Sequence, residues 1–221
     1  MKTKQSVALV STSALAAGMA QGAVIYSGPL DLQQNYLGAE SRQAVDMTGD
    51  GVKDFTFGYE GDRKPYVDTR TFVSATISQS GIINLLAKAN TGFPVTPAGT
   101  MIDASYAATY PAISVTSDTG RGYMSENSSD GTVYTVLGDW PTTAVTDAYV
   151  GIELTLAGGT SYGWLHFIDD PIATTPSLTL VDWAYESAPG VGIQATAVPE
   201  PSTCALAGVG IATLLMLGKR R

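Results

Sequence analysis

From Val24 to Val198 hydrophobic and polar positions alternate with a period of two, which places successive side chains on opposite faces of a strand. Phe55, Phe57 and Tyr59 form one face against Thr56, Gly58 and Glu60. Val73, Ala75, Ile77 and Gln79 alternate with Phe72, Ser74, Thr76 and Ser78 as a further strand. The longest apolar face is Ala148, Val150, Ile152, Leu154 and Leu156, opposite Tyr149, Gly151, Glu153 and Thr155. A turn at Ala157-Gly158-Gly159-Thr160 leads into a strand from Tyr162 to Ile168. After Asp169-Asp170-Pro171 and a Thr/Pro loop comes another, Leu178 to Glu186, with Val181, Trp183 and Tyr185 on one face. These three segments predict an antiparallel meander. Only Ile82 to Ala89 has helix-like spacing, and Asn90 to Pro111, rich in Gly, Pro and Ala, reads as an extended loop. No repeat of solenoid or propeller period occurs. The expected fold is all-β, a single antiparallel β-sandwich of about eight to ten strands over residues 24–197.

Both ends break this pattern. Residues 1–23 carry Lys2 and Lys4 and no acid, then apolar stretches at Val7 to Val10 and Ala14 to Ala20, then small residues. That order is expected of a secretory signal peptide with its helix, cleaved after Ala20 or Gly22. Ser11, Thr12 and Ser13 interrupt the apolar run and make it too weak for a permanent span. Residues 198–221 run Val198-Pro199-Glu200-Pro201-Ser202-Thr203, then an apolar stretch from Cys204 to Gly218, then Lys219-Arg220-Arg221. Fifteen helical residues reach about 22 Å, short of a hydrocarbon core of roughly 30 Å, so this transmembrane helix spans only if the bilayer thins or Ser202 and Thr203 dip in. The basic triplet stays on the cytoplasmic side and puts the body outside.

This tail resembles the PEP-CTERM sorting signal, whose Pro-Glu-Pro, short apolar helix and terminal basic cluster stand here in the same order at Pro199, Glu200, Pro201, Lys219, Arg220 and Arg221. The likeness covers about 24 residues. It implies a Gram-negative-type envelope, transient anchoring in the inner membrane, and an exosortase-type sorting protease as partner. It also implies delivery to the cell surface or extracellular matrix and an association with exopolysaccharide. The segments Tyr162-Gly163-Trp164 and Asp182-Trp183-Ala184-Tyr185-Glu186 are similar to bodies found with such tails, which implies no activity.

Charge narrows the partners of the body. Setting aside Lys2, Lys4, Lys219, Arg220, Arg221 and Glu200 leaves 7 basic against 19 acidic residues, a net charge of about −12. Such a body repels phosphate backbones, which excludes nucleic acid and favours hard cations. Its only cysteine, Cys204, lies in the tail, so neither disulfides nor thiolate metal sites are available to the body.

The clearest candidate site is Asp46-Met47-Thr48-Gly49-Asp50-Gly51-Val52-Lys53-Asp54. Oxygen donors at Asp46, Thr48, Asp50, the Val52 carbonyl and Asp54, with glycine at the bend, suit a loop wrapped around calcium. The twelfth position is Phe57 rather than a bidentate Glu, and strand residues follow where a helix would stand. The segment therefore resembles the Asp-rich loops of β-propeller and thrombospondin-like calcium modules. An acidic hairpin turn without metal uses the same residues.

Enzyme motifs are poorly supported. Gly159-Thr160-Ser161-Tyr162-Gly163 is formally G-x-S-x-G, but Ser161 enters a strand rather than a helix. The single histidine, His166, follows on that same strand and reads as a structural residue. Asp182 and Glu186 share a strand face with backbones about 13 Å apart, beyond the spacing of glycosidase carboxylates. Of the three tryptophans, Trp183 reads as core, and Trp140, beside Pro141, is the expected exposed platform for a sugar ring. The expected function is thus a non-catalytic exported surface or matrix protein. A carbohydrate-binding module is the alternative, and a glycan-active hydrolase ranks behind both.

Overall fold

The computed structural model describes residues 22–60, 64–68, 71–73, 76–78, 82–88, 92–112, 121–124 and 138–196. The expected signal peptide up to residue 21, the sorting motif at Pro199, Glu200 and Pro201, the apolar stretch and the cluster Lys219, Arg220, Arg221 lie outside these residues. Almost all of the regular secondary structure of the described chain is strand. In order the strands are β1 (Val24–Tyr26), β2 (Leu32–Asn35), β3 (Ser41–Val45), β4 (Phe55–Glu60), β5 (Lys64–Asp68), β6 (Thr71–Val73), β7 (Thr76–Ser78), β8 (Ile83–Leu85) and β9 (Met101–Ile102). The helix α1 (Ala104–Thr109) follows, then β10 (Arg121–Tyr123), β11 (Thr146–Leu156), β12 (Gly159–Asp170), β13 (Ser177–Glu186) and β14 (Ile193–Gln194).

Among the described residues every pairing between these strands is antiparallel. The main sheet runs β1-β13-β12-β11-β8, with β2 also on β13. Because β12 occupies one edge of β13, β1 and β2 share the other, end to end. A second sheet runs β10-β5-β4-β3, and β14-β9 and β6-β7 are two-stranded ribbons. The meander of β11, β12 and β13 is the one expected from the alternation, and a two-residue turn at Ala157-Gly158 sets Leu156 opposite Gly159.

Ala148, Val150, Ile152 and Leu154 enter a fully buried core with Leu165 and Phe167 of β12, Leu178, Leu180 and Trp183 of β13, and Val45, Phe55, Phe57, Tyr59 and Val67 of the second sheet. Phe57 meets Phe167 across it, ring centroids 5.5 Å apart. Each such side chain contributes about 1.5–3 kcal/mol by burial, so this core outweighs α1, none of whose residues is fully buried. The reverse face of the main sheet is also covered. Tyr149, Tyr162, Trp164 and Ala184 pack with Ile102, Ile193 and Ala195, flanked by Tyr106 and Tyr110 of the α1 segment. A Cβ on Gly151 would come 2.7 Å from Tyr106 Cε1, so glycine lets α1 seat on β11.

Four local expectations fail, each for an identifiable reason. Ile82 to Ala89 holds the strand β8 rather than a helix, with Ile83 and Leu85 buried and Asn84 opposite Glu153. A short apolar run looks the same in both conformations. Where one strand is expected from Phe72 to Gln79, β6 and β7 pair with each other, Thr71 opposite Ser78; Ser74, Ala75 and Gln79 lie outside the described residues. Asn90 to Pro111 contains β9 and α1, whose N-cap Asp103 accepts the Ser105 and Tyr106 amides at 2.9 and 3.0 Å. Finally, Val181 does not share the face of Trp183 and Tyr185. The register slips between His166 and Phe167, so Asp182 faces His166 while Leu180 faces Phe167, and Val181 is the extra residue of a β-bulge.

Candidate functional site

In the Asp46–Asp54 loop the carboxylates serve the backbone. Asp46 accepts the Gly49 amide at 2.6 Å through Oδ1 and the Gly51 amide at 2.9 Å through Oδ2. Asp50 accepts the Val52 amide at 2.8 Å. Asp54 is fully buried, and its Oδ2 accepts the Met47 and Thr48 amides at 2.7 and 3.0 Å and the Thr48 hydroxyl at 3.3 Å. Its Oδ1 is buried without a partner. Gly49 and Gly51 hold positive φ of 75° and 88°, which a Cβ would strain. The five expected ligand residues thus belong to one closed turn, with Asp54 inside and Asp50 exposed. Among the described residues, no group of three or more His, Cys, Asp or Glu is gathered for a metal ion.

Trp140 overturns the expectation of an exposed platform. It is 2% exposed and packed in the main core, and its indole Nε1 donates to the Pro94 carbonyl at 3.2 Å. The segment leading to it lies in a narrow channel. Asp139 N donates to Phe93 O, Trp140 N donates to Met124 O, and a Cβ on Gly138 would come 1.9 Å from Met124 O. Trp183, expected in the core, is there.

Ser161 and His166 occupy opposite faces of β12, as five residues of strand require. The serine hydroxyl is buried without a partner, whereas His166 faces outward in a network of its own. Its Nδ1 lies 3.0 Å from Asp182 Oδ1 and its Nε2 2.6 Å from Asp147 Oδ1. Both neighbours are carboxylate acceptors, so a ring nitrogen that carries a proton donates it to its aspartate. Tyr149, directly opposite on β11, stacks on the imidazole with centroids 4.4 Å apart and planes at 14°. Tyr26 of β1 donates its hydroxyl to Asp182 Oδ2 at 2.8 Å. The row Tyr26, Asp182, His166, Asp147 therefore laces four adjacent strands together. Burial pushes the Tyr26 hydroxyl up to about 12, helped by its hydrogen bond to Asp182. Burial does the same to Tyr149, helped by the charges of Asp182 and Asp147. With both ring nitrogens engaged, His166 works as a cross-strand tie rather than as a free base.

Set against family models, characterised proteins and solved structures, the chain matches none. Its chemistry is therefore read from its own geometry. Glu186, the other carboxylate weighed with Asp182, is nearly buried and accepts the Ala188 amide at 3.0 Å. An open cleft of about 300 Å³ runs along α1, lined by Met101, Asp103, Ser105, Tyr106, Thr109 and Tyr110. Among the described residues no helix is long and apolar enough to cross a membrane.

The His166 network escaped sequence reasoning, although part of it was countable. The turn that sets Leu156 opposite Gly159 also sets Tyr149 opposite His166, two residues from Asp147. Asp182 was hidden, because the bulge at Val181 displaces it by one position from any regular count.

Proposed function

We propose that this chain is a non-catalytic, exported envelope or matrix protein, with a β-sandwich body carried to the cell surface by a PEP-CTERM-type tail. The observation that carries the reading is the order Pro199-Glu200-Pro201, apolar stretch, Lys219-Arg220-Arg221. A signal peptide over residues 1–23 and a transmembrane helix in the tail belong to the same reading, with an exosortase-type protease as the partner and exopolysaccharide as the surroundings. The sandwich is supported by the core shared between the two larger sheets. The non-catalytic part is supported by Ser161 and His166 facing apart and by both nitrogens of His166 being engaged. Truncation after Val198 followed by cell fractionation tests the reading. Release of the body into the periplasm or medium is expected; identical fractionation of the truncated and full-length chains would overturn it.

Calcium is the ion this reading assigns to the loop, with Asp46, Thr48, Asp50, the Val52 carbonyl and Asp54 as ligands. Asp46 and Asp50 keep lone pairs beyond those that accept the Gly49, Gly51 and Val52 amides, so capping the turn and ligating a cation are compatible. The carbohydrate-binding alternative has lost Trp140, and the aromatic surface left to it is the α1 cleft with the partly exposed rings of Tyr106 and Tyr110. Saturable polysaccharide binding that disappears in Tyr110→Ala would establish that alternative.

A further inference from the structure

Asp169 lies on the inner face of β12, in line with Leu165 and Phe167, and is fully buried. Tyr59 of β4, also fully buried, donates its hydroxyl to Asp169 Oδ1 at 3.0 Å across the gap between the two sheets. Tyr36 backs Tyr59 edge-on, with centroids 6.0 Å apart. The other carboxyl oxygen, Oδ2, is buried without a partner. Directly across on β11 stands Thr146, whose Oγ1 is likewise buried without a partner, and across on β13 stands Leu178. The groups facing the carboxyl are thus a phenol, a hydroxyl and a hydrocarbon. Asp170, the next residue, adds only negative charge. Among the described residues no cation pairs with Asp169.

An ionised carboxylate sealed from bulk solvent, with no counter-charge beside it among the described residues, is costly, and taking up a proton neutralises it. Protonation also turns Oδ2 into a donor. We propose that Asp169 is a proton switch at the junction of the two sheets: as a neutral acid it lets β4 and β12 close on each other, and its ionisation loosens them. Burial pushes the carboxyl up from 3.8 to about 7; the charge of Asp170 adds to this, while the Tyr59 hydrogen bond opposes it.

The sign follows from proton counting. Between the unfolded value near 4 and the folded value near 7, the folded chain holds a proton on Asp169 that the unfolded chain has lost. Stability from this residue is therefore complete below about pH 4 and falls as pH rises to about 7. The folding constant drops about tenfold per pH unit across that window, up to about 10³-fold in all.

The test uses the full-length chain in a neutral detergent, with aspartates labelled by ¹³C at the carboxyl. One carboxyl resonance, absent in Asp169→Asn, should titrate with a midpoint near pH 7, whereas exposed aspartates titrate near 4. Tyr59→Phe removes the hydrogen bond that favours the ionised form and should move that midpoint upward. It also assigns the resonance if Asp169→Asn does not fold. In urea melts from pH 4 to 7 the wild type should lose stability relative to Asp169→Asn. An Asp169 midpoint in the ordinary carboxylate range, or equal pH slopes for wild type and Asp169→Asn, would overturn the proposal.

Discussion

Replacing Asp54 by alanine removes the anchor on which the Asp46–Asp54 turn closes. The carboxylate takes two backbone amides and one hydroxyl through a single oxygen, at a fully buried position. Hydrogen bonds to a charged acceptor contribute about 1.5–3 kcal/mol each, so stranding the Met47 and Thr48 amides costs about 3–6 kcal/mol. Part of this is returned, since the substitution also removes the partnerless Oδ1, whose desolvation costs about 1–3 kcal/mol. The net expectation is a loss of about 2–3 kcal/mol, or about 4–12 °C in melting temperature for a body of this size. Asp50→Ala is the comparison: it is exposed and caps only Val52 N, so its loss should stay under about 1 kcal/mol. Urea denaturation followed by tryptophan fluorescence, in chelator, separates the two variants. An Asp54→Ala protein within about 0.5 kcal/mol of wild type would show that Asp54 does not anchor the turn.

Calcium at 10 mM should raise the wild-type melting temperature by about 5–10 °C over chelator if the loop binds with a constant near 0.1 mM, and Asp46→Ala with Asp50→Ala should abolish the rise. A melting curve that calcium does not move leaves the loop an acidic turn. Trp140→Ala should cost about 3–5 kcal/mol by opening a core cavity, and Trp140→Phe less, since it leaves a smaller cavity along with the lost bond to Pro94 O; denaturation midpoints check both. At the outer face, Asp182→Asn should cost more than Asp147→Asn in the same assay, because Asp147 is largely exposed and its contact with His166 is worth at most about 1 kcal/mol.

The all-β class and the central meander were legible because one period holds from Ala148 to Leu156 and a two-residue turn follows. What period two cannot register is an inserted residue, and the bulge at Val181 misassigned one face of β13 for that reason. The Asp-rich loop was found, but spacing alone does not say whether a carboxylate turns toward an ion or toward a neighbouring amide. Asp54 turns inward because Met47 N and Thr48 N wait there. Trp140-Pro141 looks like an exposed turn until the long-range contacts with Phe93, Pro94 and Met124 are known. Asp169 sat in plain view beside Asp170, yet only the partner sheet, through Tyr59, shows that it faces inward.

Export followed by sorting through the tail leaves its mark on the intact mass of the protein recovered from the surface and medium of the cells that make it. The recovered chain should begin just after Ala20 or Gly22 and lack the apolar stretch from Cys204 to Gly218. A recovered mass equal to the full 221 residues would contradict it.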